Sequence, residues 1–524
     1  MLFVDTGKPA VIKYPGSIRP FRVCILCQSM EKFIMSTPLK TTAPTKEYPF
    51  AGLQTASFCK GLDEFLRTPS YIVLLGFLSV FSVMRSLELI TYTIFILIGI
   101  FVVLLGSDLL PLVPLVVLSY ISPSIENNPG LNGNSVFSGV RGIYLLSIAG
   151  IFALCLLIRL FTDPQIGRNA FLKTRRNLLS GMLLLGAGYV LAGAFSGYYT
   201  ANGWRNLLFG LIQFAAVAFF YILFTGGVRW ENAPREYLAW SGICAGLVLL
   251  AQLCHIYQVN HVIVGGKILR DRIYSGWGTY NNIGSMLTMF IPFAFQLACR
   301  KKHSWVFQLI GLMLLVGVVM TCSRGSLLVA VPTYGASCVL MLRRAPRGRT
   351  FRLVYGVLLL AAVFAAFLFR NELLTLFRSV LDRGLDPGGR EITYWEGLKQ
   401  YFRFPLFGGG FFPVDYSPYD FSSVAGFSAF FPPRWHNTVI QLLASCGTVG
   451  LLAYGYHRYQ TVKLLLKAPT TEKLYIAISI LTLLATSMLD CHFFNVGPTL
   501  FYSMALAFGE KTHAPKHKQV GVRR

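Results

Sequence analysis

Apolar runs near the length of a bilayer crossing, separated by short charged loops, decide what this 524-residue chain can fold into. A helix crosses a hydrocarbon core in about 20 residues. No water is available there, so every backbone amide must be satisfied within its own segment, and such runs become helices. Runs of this kind lie near 70–86, 88–105, 108–122, 142–161, 178–195, 206–226, 236–255, 283–299, 305–321, 326–342, 353–370, 437–456, 473–489 and 495–509. The expected fold class is all-α: a polytopic transmembrane helical bundle of about 12–14 spans with a partly helical outer cap. Composition agrees, with 54% hydrophobic and 13% charged residues, against about 25% charged in a soluble domain.

The net charge of +25 would suggest nucleic acid on a soluble protein. Here the basic residues lie in short loops and the aromatic residues inside the apolar runs, so nucleic acid is not an expected partner. The charge reads instead as membrane orientation. With the N-terminus inside, the inner set is that tail, the loops near 162–177, 227–235, 300–304, 343–352 and 457–472, and the C-terminal tail. These hold roughly 32 of the 47 Lys and Arg, the bias of the positive-inside rule. The expected layout is a basic cytoplasmic tail over 1–69, a transmembrane domain over 70–509 with a large outer loop at 371–435, and a basic cytoplasmic tail over 510–524. Arg159, the one basic residue placed within a span, is expected to snorkel to the cytoplasmic boundary.

The 11 cysteines show no paired spacing, and most lie in apolar runs, where a free thiol behaves as a small hydrophobe. Cys24 and Cys27 form a lone CxxC with no second pair or histidine at metal-site spacing. Residues 1–69 hold no short apolar core with a small-residue cleavage site, so no cleaved signal peptide is expected. The segment 371–435 is too long for a connector and too aromatic for disorder. It is expected to fold as a cap with a short helix near 390–402.

Cationic groups at the outer helix ends carry the chemistry. Arg324 stands in Thr321-Cys322-Ser323-Arg324-Gly325-Ser326, between two apolar runs, and the helix beginning there offers amide groups to an anion. Arg390 opens Arg390-Glu391-Ile392-Thr393-Tyr394-Trp395-Glu396. Taken alone, a surface ion pair explains it as well. Arg270 and Arg272 precede Gly276-Trp277-Gly278-Thr279-Tyr280-Asn281-Asn282, and alone they read as a loop and turn. His436 lies where the long loop re-enters the membrane, between Arg434-Trp435 and Asn437. Its imidazole can take or give a proton near neutral pH. Asp490 and His492 stand at another outer helix end, where an interfacial cap is the plainer reading. Together the set suits transfer from a pyrophosphate carrier: arginine binds phosphate bidentately, and a base deprotonates an acceptor hydroxyl. The outer loops hold no Asp-rich metal motif, so arginines would serve as the charge stabilisers, and no cofactor is expected.

The chain resembles bacterial O-antigen ligases and O-antigen polymerases, integral membrane glycosyltransferases of the GT-C type, over roughly residues 70–510. The resemblance is carried by Ser323-Arg324-Gly325, by Arg390 with Trp395, and by Phe404-Pro405-Leu406-Phe407-Gly408-Gly409-Gly410. It continues through His436-Asn437 with Leu442, Leu443, Gly447 and Gly450. It implies metal-independent, inverting transfer of a glycan from undecaprenyl pyrophosphate to a glycan or lipid-glycan acceptor, at the outer face of a bacterial plasma membrane. It further implies that His436 activates the acceptor and that Arg324 and Arg390, with Arg272 and Arg270 less closely matched, hold the pyrophosphate. Arg434, Asn437, Asp490 and His492 are secondary candidates. Ligases and polymerases share these motifs.

Two other classes compete. A lipid-linked oligosaccharide flippase would also place cations near a pyrophosphate, but it favours inverted repeats and midplane charges, which this sequence lacks. A peptidoglycan glycosyltransferase of the shape, elongation, division and sporulation type would rely on an outer-loop Asp, for which Asp415 or Asp420 would have to serve.

Overall fold

One helix of this chain is enclosed by protein over most of its length. In the computed structural model, helix α10 (Tyr280–Ala298) buries every side chain from Ile283 to Ala298. Around it pack α9 (Tyr237–Val259), α11 (Ser304–Met320), α12 (Arg324–Arg344) and α15 (Thr471–Leu489). The structure describes residues 48–54, 56–123, 139–163, 166–167, 176–344, 390–412 and 434–511, with scattered positions between 356 and 371. All lie in the compact unit Thr45–Arg524.

The remaining helices follow the expected runs. They are α2 (Pro69–Arg85), α3 (Glu88–Leu105), α4 (Leu112–Ile121), α5 (Gly139–Thr162), α6 (Leu179–Ala194), α7 (Tyr199–Phe214), α8 (Phe220–Gly227), α14 (Thr438–Leu466) and α16 (Val496–Lys511). A π-helical turn at Ala215–Phe219 joins α7 to α8. The cap helix expected near 390–402 is α13 (Arg390–Arg403). A two-stranded hairpin, β1 (Ile263–Val264) and β2 (Lys267–Ile268), links α9 to α10. The run at 353–370 lies largely outside the described residues, as do Cys24 and Cys27.

Three differences from the sequence reading have physical causes. Among the described residues seven helices are long and apolar enough to cross a membrane, eight if a bent pair counts as one span, against the fourteen runs expected. Helices such as α6 and α11, of 16 and 17 residues, are about 25 Å long at 1.5 Å per residue, short of the roughly 30 Å core. Second, Ser57–Leu66, within the expected tail, forms helix α1 and meets α2 at a bend of 73°. Third, Arg159 does not snorkel. It is 1% exposed and donates to the carbonyls of Val103, Leu104 and Gly106 at 3.2 Å each, and it pairs with Asp163 at 2.9 Å. The end of α3 leaves carbonyls without intrahelical partners, and the guanidinium satisfies them.

Hydroxyl groups fix α10, α12 and α15 to one another. Ser285 bonds Thr486 at 2.8 Å, Thr333 bonds Thr482 at 2.9 Å, and Ser479 donates to the Met289 carbonyl at 2.8 Å. Interhelical bonds of this kind hold membrane helices where burial of apolar surface gives no drive. The seam ends in two ion pairs, Arg300 with Glu472 and Lys301 with Glu236. Its other end opens on the polar centre described next.

Helix α14 is broken inside the bundle. Gly447 has φ 62° and ψ −162°, a region that glycine nearly alone occupies. The break frees backbone groups, and the Pro405–Gly410 loop satisfies them. Gly409 N donates to the Ala444 carbonyl at 2.8 Å and Gly410 N to Ser445 at 3.2 Å. Thr448 N donates to the Pro405 carbonyl at 2.8 Å and Val449 N to Leu406 at 3.2 Å. Irregular backbone at membrane depth is tolerated only when buried in protein and bonded like this.

Candidate active site

The last turn of α15 is where the candidate residues meet. Carbonyls at a helix C-terminus attract donors and cations. Arg390, the first residue of α13, donates from Nη1 to the Leu489 carbonyl at 2.8 Å. Asn437 donates to the Met488 carbonyl at 2.9 Å, while its Oδ1 caps α14 by accepting from the amides of Val439 and Ile440. Asp490 follows at once, and its Oδ1 lies 3.2 Å from His436 Nδ1. On the other side Asn281, in the first turn of α10, donates to Asp490 Oδ2 at 3.2 Å. Ser323 Oγ donates to Asn281 Oδ1 at 2.8 Å. Arg324 is the next residue, and Gly325 lies so close to Leu489 that an added Cβ would stand 3.3 Å from its side chain. A chain of hydrogen bonds thus runs from His436 through Asp490 and Asn281 to the α11–α12 hairpin.

His436 adopts a left-handed backbone, φ 50°, which is uncommon without glycine. Tyr394 of α13 donates to its carbonyl at 3.3 Å, and the Asn437 cap fixes the next residue. Before it, Trp435 N donates to Gln441 Oε1 at 3.1 Å. The imidazole is half-exposed while Asp490 is 8% exposed.

Electrostatics set the protonation of the pair. Burial alone would raise the Asp490 carboxyl. The His436 hydrogen bond and the nearby His492, His436 and Arg434 charges outweigh it and hold the group well below the usual carboxylate range. An ionised carboxylate only accepts, so His436 Nδ1 is the donor in this hydrogen bond. Burial pushes His492 down to about 4, against the pull of Asp490, and Arg434, Arg390 and His436 act with burial. A histidine whose folded pKa lies below its unfolded value, about 6.5, contributes full stability above that value and loses it as the pH falls toward 4. Melting measured between pH 7 and pH 4 should therefore fall by an amount on the order of 3 kcal/mol, and His492→Gln should flatten that slope. An unchanged slope in the variant would assign the acid sensitivity to other groups.

Arg270 and Arg272 are engaged at the β-hairpin. Arg272 Nη1 donates to the carbonyls of His261 at 3.0 Å and Asn260 at 3.4 Å, and Arg270 stacks 4.4 Å over the Tyr280 ring. Arg270 thus stacks on Tyr280, the residue before Asn281, and Arg272 points back to the end of α9. Asp415 and Asp420 lie outside the described residues. Among the described residues no three His, Cys, Asp or Glu side chains gather as a metal site requires.

Sequence reasoning ranked Asp490 second and left out Asn281, Ser323 and Tyr394. One signal was available for Asp490: an acid directly after a helix C-terminus opposes the macrodipole, so cations must hold it there.

The fold and this centre define a polytopic helical membrane protein with a histidine–carboxylate pair and arginines gathered at one end of its bundle. Residues 309–455, which include Arg324, Arg390, His436 and the break at Gly447, match the family model described as O-antigen ligase. Over that segment the chain is O-antigen ligase-like, as its motifs imply. No curated protein matches the chain.

Proposed function

We propose that this protein transfers a glycan from an undecaprenyl-pyrophosphate carrier to an acceptor hydroxyl, by inversion and without a metal, at the outer face of the bacterial plasma membrane. The observation that carries the reading is the convergence of His436, Arg390 and the Arg324 hairpin on residues 488–490. His436 Nε2 would take the proton of the acceptor hydroxyl, with ionised Asp490 stabilising the imidazolium. The acceptor oxygen bonds to the anomeric carbon from the side opposite the departing pyrophosphate, which leaves with the electron pair of the broken C–O bond. One displacement of this kind inverts the centre. Arg324, Arg390 and Arg434 would neutralise the leaving group. Arg324 opens α12, so its charge adds to the positive end of a helix dipole, an arrangement that favours a bound anion.

Orientation follows from charge. The end opposite the site carries Arg300 and Lys301 after α10 and Arg343 and Arg344 at the end of α12. The positive-inside rule favours that end as the cytoplasmic one, which supports an outward-facing His436–Asp490 pair.

The test is a reconstituted assay in proteoliposomes with a polyprenyl-pyrophosphate-linked glycan, run in excess chelator. Transfer with anomeric inversion is expected from the wild type. Each charged hydrogen bond to phosphate contributes about 1.5–3 kcal/mol, so Arg324→Ala and Arg390→Ala should each lose about 10- to 150-fold in kcat/KM. Arg390→Lys, which keeps a charge but not a planar fork, should recover only part of that loss. Full activity in both alanine variants would remove the anion clamp, and with it the proposal.

A further inference from the structure

Resting on that reading, we infer that the outer face of α13 carries the polyprenyl chain of the donor. Three large apolar side chains form one stripe on this helix: Ile392 at 65% exposure, Trp395 at 59% and Phe402 at 71%. The opposite stripe, Thr393, Gly397 and Gln400, is buried against α14. An exposed apolar stripe of this size marks a surface that something apolar covers.

The direction of α13 identifies the occupant. Tyr394 bonds the His436 carbonyl, an added Cβ on Gly397 would meet Ile440 at 2.7 Å, and Gln400 donates to the Ala444 carbonyl at 2.8 Å. The helix therefore starts at the candidate pyrophosphate site and descends beside α14 from its first turn to its break, roughly 20 Å for 14 residues. Ile392 is two residues from Arg390, so a pyrophosphate held there has its chain leaving along this stripe. Below α13 the track continues over Leu406, 64% exposed, beside a cavity of about 230 Å³ lined by Phe195, Phe404, Phe407 and Arg403. Two cations fall within the stripe: Lys399 pairs with Glu396 at 2.7 Å, and Arg403 at its lower end donates to the Tyr198 hydroxyl at 3.1 Å. A paired lysine suits a neutral hydrocarbon better than an anionic headgroup. A membrane phospholipid would cover the face but has no cause to begin at Arg390.

The inference is tested by photolabelling the full-length protein in nanodiscs. The probe is a C55 polyprenyl pyrophosphate with a diazirine on an isoprene unit near the pyrophosphate. Labelling of Ile392, Trp395 or Phe402 that unmodified C55 polyprenyl pyrophosphate competes away supports the track. Equal labelling by a diazirine phospholipid, without competition, makes the face ordinary lipid contact and overturns it, as does no labelling. A kinetic arm uses the triple variant Ile392→Ser, Trp395→Ala, Phe402→Ser. Its KM for a C55-linked donor should rise about tenfold, and its KM for a C10-linked donor, whose chain reaches only the first two turns of the stripe, should rise by less. Equal change for both donors overturns the track. Competed labelling in a wild-type protein that transfers no glycan would leave the track standing and end the glycosyltransferase reading instead.

Discussion

His436→Ala should lower the transfer rate by about 10²–10⁴-fold, the usual contribution of a positioned general base, with little change in donor binding. Asp490→Asn should approach the same loss, because the amide cannot stabilise the imidazolium and its NH₂ can reverse the tautomer that leaves Nε2 able to accept. The informative measurement is the double variant. Two residues that act as one unit are strongly non-additive, so His436→Ala with Asp490→Asn should be no slower than His436→Ala alone. Multiplication of the two losses would mean that Asp490 acts elsewhere, through Asn281 and the α10 end that it also bonds. Unchanged turnover in His436→Ala would end its role as base. Melting curves of each variant separate a chemical effect from a packing one, since His436 is half-exposed and Asp490 nearly buried.

The fold was legible in the sequence because the bilayer reduces it to lengths and charges. Each expected run that falls on described residues is helical, and so is the cap segment opened by Arg390. What a hydropathy pattern does not show is how a charge is satisfied. Arg159 looked like a boundary residue, yet it closes the end of α3, a helix distant in sequence. The same blindness hid the centre of the site. Arginines and a histidine at helix ends can be found by eye, because the membrane excludes charge unless it is used or paired. Asp490, Asn281 and Ser323 are polar residues in ordinary capping positions, and only the crossing of α10, α12 and α15 makes them one network. The glycines of the Phe404–Gly410 motif are similar. Their spacing shows a turn, whereas the need for glycine comes from α14, about 40 residues further on.

That need gives the second large expected effect. Gly447→Ala should prevent normal folding or cost about 3 kcal/mol or more. A side chain at φ 62°, ψ −162° is strained by itself, and the new Cβ would lie 2.4 Å from the Leu406 carbonyl oxygen. That oxygen accepts the Val449 amide, so it has no freedom to withdraw. Relieving the strain by straightening α14 would expel the Pro405–Gly410 loop and strand the bonds it makes to residues 444–449. Gly408, at φ 76°, meets Ser445 backbone from the other side at 2.4 Å, so Gly408→Ala should reproduce the defect. Gly455 on the same helix has nothing within 4 Å of an added Cβ, and Gly455→Ala should be neutral or slightly stabilising. The comparison reads out as the yield of monodisperse protein and its melting temperature in detergent. Because the loop anchors the end of α13, and α13 holds Arg390 at Leu489, any Gly447→Ala protein that does fold should also lose donor affinity. A variant that melts and turns over like Gly455→Ala would mean that α14 is continuous and that the loop does not hold the cap.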